Sequence, residues 1–394
     1  MSIRLAGFVA LFLLLSLFPR GVRGAEPILV GEINSRTGVL AAQGLAVAQG
    51  IEIAVQTVNA RGGVGGRPVR LLPRDDEGKP DRAIAAAEEL TTRHQVAALI
   101  GGYVDSLVGP VSEVAERTRT PYLATASLDE RLTQRGYRYF FRVSSLRPYV
   151  AVTVGLLREV IRPERVAIFY SSTPGASQLA RRQREALAAA TVQVPVFEPF
   201  TPGLSDFTPF LRKVRDRDVE VVLSDAFFAD HLLMVRQMAE SGVRVRGFLG
   251  AFGLEFPSAV RELGAAAEGL LGTTTWQPGV FVPGDEAESR AFVEAYRARF
   301  GQEAIPLSMH GYAAARALFA AMGAALARGQ SAARDALRDA LARVDVETPL
   351  GRIRFDANGD PVAYERVIVQ IQGGRHVVVY PKAAATARLI YPRP

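Results

Sequence analysis

The sequence predicts an α/β protein of two doubly wound lobes with mainly parallel sheets. Apolar runs of strand length alternate with longer stretches of helical spacing along nearly the whole chain, the pattern of parallel strands joined by crossover helices. The alternation restarts after about Ser144, giving two rounds rather than one. A chain of 394 residues is also long for one ordinary core, so two domains are the starting expectation. Hydrophobic content of 48% with 22% charged residues is that of a globular protein able to fill both.

Residues 1–24 stand apart. Arg4 precedes an apolar run from Leu5 to Phe18, broken by Gly7 and Ser16, and Val22-Arg23-Gly24 offers a tolerable cleavage site. This is the layout of a secretory signal peptide, and the run is short for a membrane span. An N-terminal anchor is the alternative, because Arg20 and Arg23 are unusual so near a cleavage site. The first strand is expected over Ile28–Ile33 and a helix from about Gln43 to Asn59, where Ala48, Ile51, Val55 and Val58 keep near-helical spacing. Gly62–Gly66 superficially resembles a phosphate loop. It follows a helix, precedes the strand Pro68–Leu72 and lacks the P-loop lysine, so a helix-to-strand turn is the better account. Asp75-Asp76 have no histidine or third carboxylate at ligand spacing and read as a polar loop leading the helix Lys79–Thr92.

A site is expected in Leu99–Val143. The apolar run Val96–Ile100 stops at Gly101-Gly102, where the chain can reverse at the carboxyl edge of a sheet, the edge at which open α/β folds place ligands. Pro110–Arg119 reads as a short helix, Tyr122–Thr125 as a strand, Ala126-Ser127-Leu128-Asp129 as a polar elbow and Tyr139–Val143 as an aromatic strand. Two consecutive strand ends thus bring small and polar residues to one edge.

In the second round, helices over Tyr149–Ile161, Ser177–Ala189, Phe207–Arg215 and Asp230–Ser241 alternate with strands over Val166–Tyr170, Val192–Phe197, Val219–Leu223 and Val245–Leu249. Thr273–Gln277 is extended into Pro278 and reads as a return crossover. Helices follow over Asp285–Phe300 and Ser308–Arg328, with a third crossover near Thr348–Arg354. Asn358-Gly359 marks a tight turn, and Val367–Gln372 and His376–Tyr380 form a hairpin over Gly373-Gly374.

Several function classes recede on composition. With no cysteine there are no disulfides, thiolate metal sites or lipidated N-terminal cysteine. The net charge of +7 becomes +4 once the three arginines of the leader are removed (7 − 3), and the remaining arginines are spread along helices, so nucleic-acid binding is not expected. The four histidines, His94, His231, His310 and His376, are far apart in sequence, and no G-x-S-x-G or H-x-x-x-H occurs. Catalysis is not expected.

The order I-G-G, P-V-S, T-P-Y-L, L-T-Q-R-G-Y and F-F-R-V between Ile100 and Val143 carries a resemblance. N-A-x-G-G-x-x-G-R at Asn59–Arg67 and Y-A-A-x-x-A-L at Tyr312–Leu318 add to it. Together they resemble periplasmic binding proteins of the leucine/isoleucine/valine type, soluble receptors of ATP-driven importers for branched-chain amino acids, amides and related small molecules. The resemblance implies the type I periplasmic binding fold with a three-crossover hinge. It places residues 26–145 plus 276–346 in lobe 1 and 146–272 plus 350–381 in lobe 2. It implies a periplasmic monomer that closes on a small molecule, docks on ABC permease subunits and uses no cofactor or metal. A periplasmic sensor reporting to a regulator or oxidoreductase system is the alternative.

In that family the ligand carboxylate is held by hydroxyls and backbone amides of lobe 1, the ammonium largely by an acid of lobe 2, and aromatics wall the side chain. Residue by residue, the serine after the glycine pair corresponds to Asp105, with Ser106 beside it. The elbow's backbone contact corresponds to Ala126, and the following threonine to Leu128, with Thr125 and Ser127 close. The acid corresponds to Phe252, the first-loop tyrosine to Gln43 and the second-lobe tyrosine to Gly175. An aromatic wall is kept at Phe227, with Phe228 adjacent. A carboxylate beside ionised Asp105 would be repelled, and Phe252 cannot neutralise an ammonium. The ligand is therefore expected not to be a zwitterionic amino acid gripped in the usual way. Asp105 or Asp225 would hold a cationic or hydrogen-bond-donating group while Tyr103, Phe227 and Phe252 stack on an apolar body. Alternatively, Asp105 caps the helix near Pro110 or faces water.

Overall fold

The computed structural model describes residues 25–279, 286–330, 333–362 and 365–394. The expected signal peptide over 1–24 lies outside them. In the first round, strands β1 (Ile28–Asn34), β2 (Val69–Asp75), β3 (Ala98–Gly101), β4 (Tyr122–Ala124) and β5 (Phe140–Arg142) alternate with helices α1 (Ala41–Ala60), α2 (Pro80–Glu88) and α3 (Asp105–Arg117). All pairings are parallel, in the order β2-β1-β3-β4-β5. The second round runs α4 (Arg147–Leu156), β6 (Arg165–Ser171), α5 (Pro174–Ala189), β7 (Gln193–Phe200), α6 (Thr208–Asp216), β8 (Val221–Asp225), α7 (Phe228–Glu240), β9 (Gly247–Ala251), α8 (Pro257–Leu263) and β10 (Leu271–Thr274).

The chain then returns to the first sheet with α9 (Glu286–Phe300), α10 (Pro306–Ala327), α11 (Arg334–Leu341) and the hairpin of β11 (Val346–Thr348) and β12 (Gly351–Ile353). It ends in the antiparallel pair β13 (Val367–Gln372) and β14 (Arg375–Tyr380), which extends the second sheet to the order β14-β13-β10-β9-β8-β6-β7.

Strand alternation decides which helices cover which face. On the first sheet Ala98, Ile100, Leu123 and Phe141 face the layer of α1, α9 and α10, whereas Leu99, Tyr122, Ala124 and Phe140 face α2 and α3. On the second, Ile168, Val221, Leu223 and Leu249 face α4 and α5, while Phe169, Val222 and Phe248 face α6, α7 and α8. The central parallel strands of each sheet are thus buried on both sides, as near-continuous apolar strands require.

One expectation needs correction. The helix read over Pro110–Arg119 starts at Asp105, so Pro110 lies inside it. The carbonyl that Pro110 leaves without a helical partner belongs to Ser106, which is exposed and can bond to water. Helices α8 and α11 carry no expectation in the sequence reading, because each is only two turns long. Among the described residues no helix is long and apolar enough to cross a membrane.

Candidate functional site

In each sheet the strand order reverses once, between β1 and β3 and between β6 and β8, and the carboxyl ends of strands beside such a point form a crevice. The two crevices face each other. The first contributes Tyr103 and Asp105 after β3 and Ala126-Ser127-Leu128 after β4. The second contributes Thr173–Ala176 after β6, Phe227 after β8 and Phe252, Glu255 and Phe256 after β9. Between them lies a cavity of about 70 Å³, far smaller than the several hundred Å³ of a typical ligand pocket, so the lobes are closed on one another.

Aromatic rings from both lobes form its wall in series. Tyr103 and Phe227 have centroids 6.3 Å apart, Phe227 and Phe252 6.0 Å, and Phe252 and Tyr149 5.3 Å. Arg366 continues the series with its guanidinium 3.6 Å over the Tyr149 ring, and it donates to the Thr273 carbonyl at 2.9 Å. Phe252 takes a left-handed backbone (φ 68°) that a side chain rarely adopts, which aims its ring at this wall.

The polar groups are fewer and more constrained. Asp105, the first residue of α3, accepts from the backbone N–H groups of Leu128 and Asp129 at 2.8 and 2.9 Å through one oxygen. Its other oxygen faces Gly175 of the opposite lobe, where a Cβ would collide with it. Burial raises its pKa, and the Asp129 and Leu128 amides and Arg142 oppose that rise. Glu255 accepts from the Gly253 N–H at 2.7 Å. Burial pushes its carboxyl up to about 7, against the pull of Arg366 and the Gly253 amide. His310 is pushed down to about 4, chiefly by burial, and is neutral between the Thr125 carbonyl (3.2 Å) and the Thr275 hydroxyl (3.1 Å). The Ser127 hydroxyl is buried at the cavity wall with no hydrogen-bond partner in the protein.

Of the residues singled out in the sequence, Tyr103, Asp105, Ser106, Ala126, Ser127, Leu128, Phe227 and Phe252 are brought together here. Gln43, Thr125 and Asp225 are not among the lining residues. Gln43 sits in the first turn of α1. Thr125 points its hydroxyl at the Gly102 carbonyl (2.5 Å), which ties β4 to β3 rather than facing a ligand. Asp225 is buried at the end of β8 against Gln183 (3.3 Å), and burial holds its pKa well above the usual carboxylate range. Asp105 does not cap a helix at Pro110; it opens that helix and caps the elbow amides instead.

The sequence reading missed Glu255, Arg366, His310 and Tyr149. Glu255 had a local signal, an acid three residues past Phe252 and two before the proline that begins α8. The others arrive from distant segments and had none. Among the described residues no group of three or more metal-ligating side chains occurs.

Similar proteins agree with this architecture. The chain is 27% identical to the Leu/Ile/Val-binding protein homolog 7 of Brucella abortus, over 94% of this chain and 96% of that one. It is 26% identical to the leucine-specific-binding protein of Salmonella typhimurium, over 88% and 91%. Its fold matches the branched-chain amino acid transporter substrate-binding protein of Streptococcus pneumoniae, solved with isoleucine, at a TM-score of 0.80, 21% identity and 90% and 100% coverage. It also matches a solute-binding protein of R. palustris, solved with benzoate, at 0.78, 19% identity and 92% and 98% coverage. The periplasmic binding protein family model spans residues 27–375, nearly all of the two-sheet body that closes around the cavity, and the chain belongs to that family.

Proposed function

We propose that this protein is the periplasmic substrate-binding component of an ABC importer of the branched-chain amino acid and amide type, working without catalysis as a monomer. The lobe built on the first sheet and the lobe built on the second would rock about three crossovers, and permease subunits would read the closed form. Residues 1–24 would direct export. The ligand is a small molecule with an aromatic or apolar body and a neutral or cationic hydrogen-bonding group.

One observation carries the ligand class: the aromatic series Tyr103, Phe227, Phe252 and Tyr149 lines the cavity from both lobes. Flat apolar walls favour a ring over a branched aliphatic chain. The charges support the same class. The lining holds the carboxyls Asp105 and Glu255 against the single guanidinium Arg366, which already lies on Tyr149. The Ser127 hydroxyl offers a further contact.

A thermal-shift screen of the mature protein, followed by calorimetry, tests this. Aromatic amines and neutral aromatics should raise the melting temperature more than leucine, isoleucine or valine, because a ligand of the folded state stabilises by mass action. Micromolar binding of the three amino acids with no response to aromatics would refute the ligand class. No response to any solute, including amides and benzoates, would refute the receptor reading.

A further inference from the structure

We infer that Asp105 is a built-in anion that fills the cavity's own anion subsite, so that ligands enter without a carboxylate at the elbow end. Two successive backbone N–H groups after a strand end, aimed into a crevice, are a ready anion cradle. Here the cradle is made by Leu128 and Asp129, and both donors go to one oxygen of Asp105 at 2.8 and 2.9 Å. The second oxygen closes the remaining approach, since it lies against Gly175 of the facing lobe with no room for even a methyl group between them. Arg142 holds the elbow in this shape from behind, donating to the Ser127 and Asp129 carbonyls at 3.3 and 2.9 Å and pairing with Asp360 at 2.5 Å.

A ligand carboxylate arriving at the elbow would meet a negative charge and find its donors taken. Like charges set against each other in a closing interface are strongly excluded, which makes Asp105 a specificity-determining residue rather than an affinity anchor. The neighbouring Ser127 hydroxyl, buried and without a partner in the protein, remains available to a neutral group on the ligand. This inference rests on the receptor reading above.

The test uses the mature protein, with benzoate, leucine and phenethylamine as probes in calorimetry. Asp105→Ala vacates the cradle, and Asp105→Ser is a second vacating variant should alanine fail to fold. Asp105→Asn keeps an acceptor for the two amides while removing the charge. Benzoate or leucine should bind the alanine or serine variant at least about tenfold more tightly than the native chain. The asparagine variant should gain less, because its cradle is still filled. Equal carboxylate affinity in the native and vacated forms, both shown to be folded, would overturn the inference. So would native micromolar benzoate binding that Asp105→Ala weakens. A gain for carboxylates in the vacated forms supports it even if no aromatic ligand is found for the native protein, so the two readings fail separately.

Discussion

At the scale of single residues, two side chains at the cavity hold unfavourable states. Glu255 keeps its proton up to about pH 7 in the folded protein, against an ordinary value of 4.5. The folded state therefore binds a proton that the unfolded state has already released, and the contribution of this residue to stability falls as pH rises from about 4.5 through about 7. Glu255→Gln keeps an acceptor for the Gly253 N–H and removes the titration. The native protein should lose stability relative to Glu255→Gln by on the order of 2–3 kcal/mol between pH 5 and pH 8, measured by urea unfolding. Taking the difference matters, because the depressed His231 and His310 act oppositely, losing stability as pH falls from 6.5 toward about 4. Phe252 carries backbone strain rather than charge. Phe252→Gly and Phe252→Ala both remove the ring and should both weaken an aromatic ligand by about tenfold. The glycine variant should be the more stable by about 1 kcal/mol, since its backbone accepts the left-handed conformation without a Cβ clash. Equal stability would mean the positive φ stores nothing.

At the scale of elements, the tightest seam in the first lobe is the crossing of α1 and α10. It is made by glycines: a Cβ at Gly50 would meet the Ser308 carbonyl, and one at Gly311 the Val47 carbonyl. Backbone atoms cannot rotate away, so Gly311→Ala must push the helices apart and should cost about 2–3 kcal/mol in denaturant titration. Because the first turns of α10 place Leu307 and His310 at the cavity, the same variant should also weaken ligand binding. Unchanged stability would show that the crossing has slack.

At the scale of the whole molecule, the closed cleft has contacts that involve no ligand. The side-chain oxygen Oε1 of Gln178 on α5 accepts from the Glu130 N–H at 2.8 Å across the seam, and Arg182 pairs with Glu130 at 3.0 Å. Removing them by Gln178→Ala with Arg182→Ala should lower the closed population. Apparent ligand affinity would fall a few-fold, in proportion to that population, although neither residue lines the cavity. Solution scattering should report a larger radius of gyration for the ligand-free double variant than for the native protein, and saturating ligand should shrink both. Trp276 is a poor reporter of this motion. It is 1% exposed, packs on Phe292 and donates to Ser289 at 2.7 Å, inside one lobe's core rather than at a moving seam.

The alternation of apolar strands and amphipathic helices, the turn glycines and the elbow after Tyr122 were legible in the sequence because they are local. A strand buried on both faces must be apolar throughout, and a chain that reverses at Gly101-Gly102 needs a residue free of a Cβ. Those constraints were enough to bring eight of the singled-out residues, Asp105 and Phe252 among them, to one cavity. What tertiary structure alone decided is which groups are available there. Thr125 is of a suitable type and in a suitable place, yet its hydroxyl bonds the neighbouring strand. Asp225 is acidic and at a strand end, yet is buried against Gln183. Glu255 lines the cavity from the turn into α8, and Arg366 arrives there from more than 100 residues away along the chain. A residue's type and position follow from the chain near it. Its free hydrogen-bonding capacity and its charge state depend on every element packed against it, and those meet only when both lobes are folded and closed.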